Sequence, residues 1–158
     1  MKKNMLLCVV CLFLIFSSCG GETEIKEDAG QVEKTAPVEN PSYDPLRGEG
    51  KFKDVVLDEK LNVEMANEGK IATEIKCASC HRMTSERLVG PGWEGVTIRR
   101  HPDWIMNFIT NPDPMIDKDP EAQAMLVLCL VRMPNQSLTD EEARNILEYM
   151  RQIDGVKP

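Results

Sequence analysis

Cys77-Ala78-Ser79-Cys80-His81 is the stretch of this chain whose residue types and spacing carry chemistry. Cys-x-x-Cys-His is the attachment signature of c-type haem, in which two thiols add across two haem vinyl groups and the next residue, a histidine, gives its imidazole to the iron. Cys77 and Cys80 stand at i and i+3, so at a helix terminus they share one face, and His81 follows to meet the metal. Two other chemistries use a Cys-x-x-Cys pair. A zinc site needs two more Cys or His ligands at short spacing; of Cys8, Cys11, Cys19, Cys129 and His101, none forms a second pair once a signal peptide carrying Cys8 and Cys11 is removed. A thioredoxin-like dithiol needs a βαβ pattern around it, and none is visible.

An electron-carrying haem iron needs both faces closed, or oxygen and small ligands bind. The second ligand must come from His101 or a methionine. Met133 is one candidate, in the loop Arg132-Met133-Pro134-Asn135, where Pro134 would hold its thioether rigidly; filling a gap in the core is the alternative role. Met115, after Asn111-Pro112-Asp113-Pro114, is the second candidate, and Met83, Met106 and Met125 read as core. His/Met ligation raises the reduction potential. His101, just before Pro102, reads as a surface or capping histidine.

The elements that must position these residues are helical. Asn62 is a candidate N-cap for a helix to Lys76, with Met65, Ala66, Ile71, Ala72 and Ile75 as its apolar residues. Gly69 inside it costs about 1 kcal/mol against Ala, which makes sense where another helix crosses closely. Thr139 and Glu142 form a capping box for a helix over 140–153, with Ala143, Ile146, Leu147, Met150 and Ile153 at helical spacing and Gly155 as the stop. Pro102–Thr110 and Pro120–Val131 each open with Pro in the first turn. No strand signal of any length is present. The expected fold class is all-α, about four helices around one haem.

The chain has 158 residues and a net charge of −7, which argues against nucleic acid as a partner. Lys2 and Lys3 precede an apolar run from Met5 to Phe16. That run is shorter than the roughly 20 residues of a membrane span and suits a signal peptide. Phe16-Ser17-Ser18-Cys19-Gly20 resembles a bacterial lipobox, with Phe16 where Leu is usual; residues 1–18 would be removed and Cys19 would carry lipid. An ordinary secretory peptide cut elsewhere is the alternative. Cleavage before Cys19 also removes Cys8 and Cys11, leaving Cys129, within the apolar run Met125–Val131, as a buried small residue. Residues 19–49 read as an acidic, flexible linker, poor in apolar residues, with Pro37, Pro41 and Pro45 and a reach of about 30 Å. Residues 50–158 read as the folded domain.

The order of first helix, Cys-x-x-Cys-His, Gly90-Pro91 loop, middle helices, Met133-Pro134 loop and last amphipathic helix resembles a class I, monohaem His/Met cytochrome c over residues 62–154. The resemblance implies one covalent haem c, His81 and Met133 as its iron ligands, and terminal helices crossing at Gly69, although Thr73 stands where the family usually has an aromatic. It implies that the Pro91 carbonyl accepts the His81 ring N–H. It makes Trp104 a candidate donor to a haem propionate, with plain core packing equally open, and Arg99 and Arg100 candidates to neutralise one, with a solvated surface as the alternative. In function it implies an electron carrier rather than an enzyme. Its partners would be a quinol-oxidising complex or other donor and a terminal oxidase or reductase. Small lipoprotein cytochromes resembling this one occur beside terminal reductases, nitrous-oxide reductase included. The expected setting is extracytoplasmic: a monomer, lipid-anchored and facing the periplasm. A haem gas sensor or peroxidase-like enzyme with an open sixth iron position is the reading from a different class, and it requires that Met133 not bind.

Overall fold

The last helix begins where the local chemistry dictates. Thr139 Oγ1 accepts from the Glu142 backbone N–H at 3.1 Å, and the Glu142 carboxylate accepts from the Thr139 N–H at 2.9 Å, so the capping box is complete. The computed structural model describes residues 43–158. These form six helices: α1 (Val63–Lys76), α2 (Val96–Arg99), α3 (Pro102–Thr110), α4 (Pro112–Lys118), α5 (Pro120–Cys129) and α6 (Asp140–Ile153). Among the described residues there is no strand, as expected of an all-α fold. The expected signal peptide, Cys19 and the linker as far as residue 42 lie outside the described residues. Two helices exceed the expected four, α2 and α4. α5 stops at Cys129 rather than Val131 because Leu130 turns left-handed, at φ 57°.

α1 and α6 cross backbone to backbone. A Cβ on Gly69 would lie 2.0 Å from the Asn145 carbonyl oxygen and 2.8 Å from the Ile146 nitrogen, so only glycine permits the approach. The buried face of α1 is therefore the small one, Ala66, Gly69 and Thr73. Ile71 and Ile75, expected in the apolar stripe, are 52% and 76% exposed. α6 supplies the bulk instead, burying Ala143, Ile146, Leu147 and Met150. Its buried Glu148 accepts from the Asn62 N–H at 2.8 Å, from Arg144 at 2.8 Å and from Arg151 at 2.8 and 2.9 Å. Lys76, the residue before Cys77, pairs with Glu142 at 2.7 Å, and the Leu61 N–H donates to the Lys157 carbonyl at 2.8 Å.

The chain ahead of α1 is a strap, residues 43–57, laid along α3 and α4. Asp103 and Asn107, one turn apart on α3 and both buried, receive its backbone. Asp103 accepts from the N–H groups of Asp54 and Val55 at 2.9 and 2.7 Å. Asn107 accepts from the Phe52 N–H at 2.8 Å and donates to the carbonyls of Arg47 and Phe52 at 3.0 Å. Buried polar groups need such partners, and Phe52, Val55 and Leu57 add apolar contact with the core. Asp119 caps α5, accepting from the N–H groups of Glu121 and Ala122 at 2.8 Å, and also accepts from the Tyr43 hydroxyl. The packed chain thus includes residues 43–49, which the charge and proline pattern had given to the linker.

Candidate haem site

The Cys-x-x-Cys-His stretch leaves α1 in a tight turn. The N–H of Cys77 donates to Thr73 O at 2.9 Å, and those of Cys80 and His81 both donate to Cys77 O at 3.0 Å. Cys77 is buried, and burial pushes its thiol up to about 11. Cys80 and His81 line an open cleft.

His81 is held on three sides. Its Nδ1–H donates to the Pro91 carbonyl at 2.9 Å, the partner expected for it. Gly90 lies so close that a Cβ there would be 2.4 Å from the ring Cε1. The buried Trp93 stacks obliquely, with ring centroids 5.7 Å apart and planes at 43°. Trp93 was not a candidate on sequence grounds; its place two residues after Pro91 is the only signal that pointed to it. Burial pushes the His81 imidazole below its ordinary value, with the Pro91 bond opposing. The ring is therefore neutral at physiological pH, with its proton fixed on Nδ1 and a lone pair left on Nε2.

The rest of the cleft comes from Ile116 of α4, from Ala122, Met125, Leu126 and Cys129 of α5, and from the loop that carries Val131, Met133 and Pro134. Met133 thus shares one cleft with His81. Met115 does not line it. It is fully buried, and its sulfur accepts the Glu49 N–H at 2.9 Å. Met106 is core as expected. Met125, expected in the core, and Cys129, expected to be buried away, both face the cleft.

The expected propionate contacts are otherwise engaged. The Trp104 indole N–H, the candidate propionate donor, instead donates to Asp119 at 2.8 Å. Trp104 is buried, stacked on Phe108, and covered by the Arg100 guanidinium. Arg99 donates to the Glu94 carbonyl at 2.9 Å, and Arg100 pairs with Glu121. Neither arginine lines the cleft. His101 caps α3, its Nδ1 accepting from the Asp103 N–H at 3.4 Å.

The donor set fits a haem. The cleft is open to solvent and lined by the side that carries His81 and the side that carries Met133. Its lining is apolar apart from thiol, imidazole and thioether groups, as a flat macrocycle requires. Cys77 and Cys80 would hold it covalently, and His81 would offer Nε2. A zinc site lacks its further ligands, since no cluster of three or more His, Cys, Asp or Glu exists among the described residues.

The family described as cytochrome c matches residues 66–154. A cytochrome c from Rhodothermus marinus is 37% identical, with a TM-score of 0.64, over 66% of this chain and 90% of that one. An engineered cytochrome c from Rhodothermus marinus, Rma TDE, is 36% identical with a TM-score of 0.64 over the same shares. The same engineered protein bound to a carbene intermediate is 36% identical with a TM-score of 0.61. No curated protein matches. More than half of the chain is spanned by the family match, and the turn at Cys77–His81 opens on an apolar cleft of haem-binding character; the chain belongs to the cytochrome c family, with one covalently attached haem c and haem-based electron transfer as its chemistry.

Proposed function

We propose that this protein is a lipid-anchored monohaem carrier. It would move single electrons between a respiratory donor, such as a quinol-oxidising complex, and a terminal oxidase or reductase. Cys77 and Cys80 form the thioethers, His81 is the proximal ligand, Met133 the distal one, and Cys19 bears the lipid. One observation carries this reading: His81, with its Nδ1 proton spent on Pro91, shares an apolar cleft with Met133.

When bound, the haem supplies the one-electron couple. The chain does the rest. The Pro91 carbonyl fixes the imidazole's tautomer and orientation, and makes Nε2 a better donor. Gly90 and Trp93 leave the ring no room to turn. The apolar walls exclude water, so few groups rearrange when the site's charge changes by one. The acidic segment behind Cys19 would hold the domain near a bacterial membrane facing the periplasm, raising its effective concentration toward membrane partners.

A second reading has one observation in its favour. A similar engineered cytochrome c is bound to a carbene intermediate. An open sixth position in this chain would make it a gas sensor or peroxidase-like enzyme, and Met133 would then not bind.

Optical spectra of the full haem-loaded chain, ferric and ferrous, with and without carbon monoxide, test the choice. The carrier gives a low-spin spectrum with the weak long-wavelength sulfur-to-ferric-iron band and no carbon monoxide binding. Met133→Ala loses that band. A band that persists in Met133→Ala moves the ligand to Met125, the other methionine of the cleft. A high-spin native protein that binds carbon monoxide readily overturns the carrier reading. For the anchor, Cys19→Ala shifts the protein from the membrane to the soluble fraction; an unchanged distribution rejects lipidation.

A further inference from the structure

Among the described residues, the loop that carries Met133 packs on the core through Met133 and Leu138 and is hydrogen-bonded to the rest of the fold through one side chain. It is entered at Leu130, φ 57°, and left at Ser137, φ 51°. Among the described residues, 131–135 make no backbone–backbone hydrogen bond. The Asn135 side chain and the Pro134 carbonyl bond only within the loop, to Ser137 N–H at 2.8 Å and Gln136 Nε2 at 3.3 Å. Arg132 is different. Its Nε donates to Asp113 Oδ1 at 2.7 Å, and its Nη2 donates to Asp117 Oδ1 at 2.5 Å and to the Asp113 carbonyl at 3.3 Å.

The receiving surface is stiff. α4 opens with Pro112 and Pro114 and buries Met115 and Ile116, and Ile116 also lines the cleft. Asp113 and Asp117 stand one turn apart on it. A guanidinium fits such a pair as a planar fork, which a lysine ammonium does not.

We propose that Arg132 is a positioning residue, clamped on Asp113 and Asp117 so that Met133 stays at the cleft and its sulfur exchanges slowly for outside ligands. This assignment rests on Met133 being the distal ligand. The three side chains are exposed, and exposed pairs add little to global stability. The effect belongs to the local opening of a loop that has no other hydrogen-bonded tie to the described residues outside it.

The test is the rate at which saturating imidazole displaces the native ligand from the ferric, haem-loaded full chain. Arg132→Ala is expected to speed displacement by about fivefold, the scale of a surface ion-pair network, with its unfolding midpoint near native. Asp113→Asn with Asp117→Asn is expected to match it, and the triple variant to be no faster. Arg132→Lys falls between. Raising salt speeds the native protein and leaves Arg132→Ala unchanged. An unchanged rate in Arg132→Ala overturns the proposal. A native rate in the double aspartate variant, or a lowered unfolding midpoint that accounts for the faster exchange, overturns it too. Met133→Ala is the control: if it keeps the long-wavelength band, the ligand assignment fails and the clamp falls with it, whatever the arginine variants do.

Discussion

At His81 the position of one proton decides what the ring can do. The Pro91 carbonyl can only accept, so the proton sits on Nδ1 and Nε2 is free. Gly90 makes that geometry tight. In Gly90→Ala the new methyl would meet the imidazole at 2.4 Å, and overpacking of this kind costs about 1–3 kcal/mol. Denaturant unfolding of the haem-loaded protein should show that loss, together with a shifted reduction potential as the ring is pushed from its bearing. The His81–Pro91 pair was readable in advance, because the motif names the histidine and the family resemblance names the proline. Trp93 and Trp104 were not. Nothing in a sequence tells which buried indole faces an imidazole and which faces a carboxylate, and it is Asp119, far along the chain, that claims Trp104.

Helices show a different limit. The last one is written locally, cap and face together, and is found where expected. α4 was hidden by its prolines, since Asn111-Pro112-Asp113-Pro114 reads as a break. At N1 and N3 of a helix, however, the missing N–H groups have no intrahelical acceptor to lose. In α1 the apolar count favoured the wrong face, because a crossing at Gly69 demands small side chains rather than hydrophobic ones. Gly69→Ala is therefore expected to destabilise by about 1–3 kcal/mol through overpacking, outweighing the roughly 1 kcal/mol that Ala gains in helix propensity; a raised denaturation midpoint would contradict the close crossing. Glu148 gives the pair its pH response. Burial raises its carboxyl, but hydrogen bonds from Arg144, Asn62 and Arg151 outweigh burial and hold it below the usual value. A group depressed in the fold contributes stability above its unfolded value, about 4.3, and loses it as pH falls through the lower folded value. Urea midpoints should thus drop below pH 4, with a shallower drop in Glu148→Gln. Glu148→Ala leaves the buried Arg151 unpaired and is expected to cost about 3–5 kcal/mol at neutral pH.

Over the whole molecule, residues 43–49 of the strap are the part that composition misled. Their charges and Pro45 looked like spacer, yet the Arg47 carbonyl accepts from Asn107 and the Glu49 N–H donates to Met115. A chain that begins at Gly50 lacks the ties of Tyr43, Arg47 and Glu49, and should unfold at lower denaturant than one that begins at Tyr43, by about 1–3 kcal/mol, near 1 kcal/mol for each hydrogen bond lost. Equal midpoints for the two would return residues 43–49 to the linker. The junction of Leu61 with Lys157 has a consequence for how the molecule comes to exist. Its helical core is a closed circuit, and the partners in its main crossing, α1 and α6, are the first and last of the described helices. Closing so long a loop is entropically slow, so α1 waits for α6 before it can dock. Until then the thiols that follow α1 stay accessible to whatever joins them to haem.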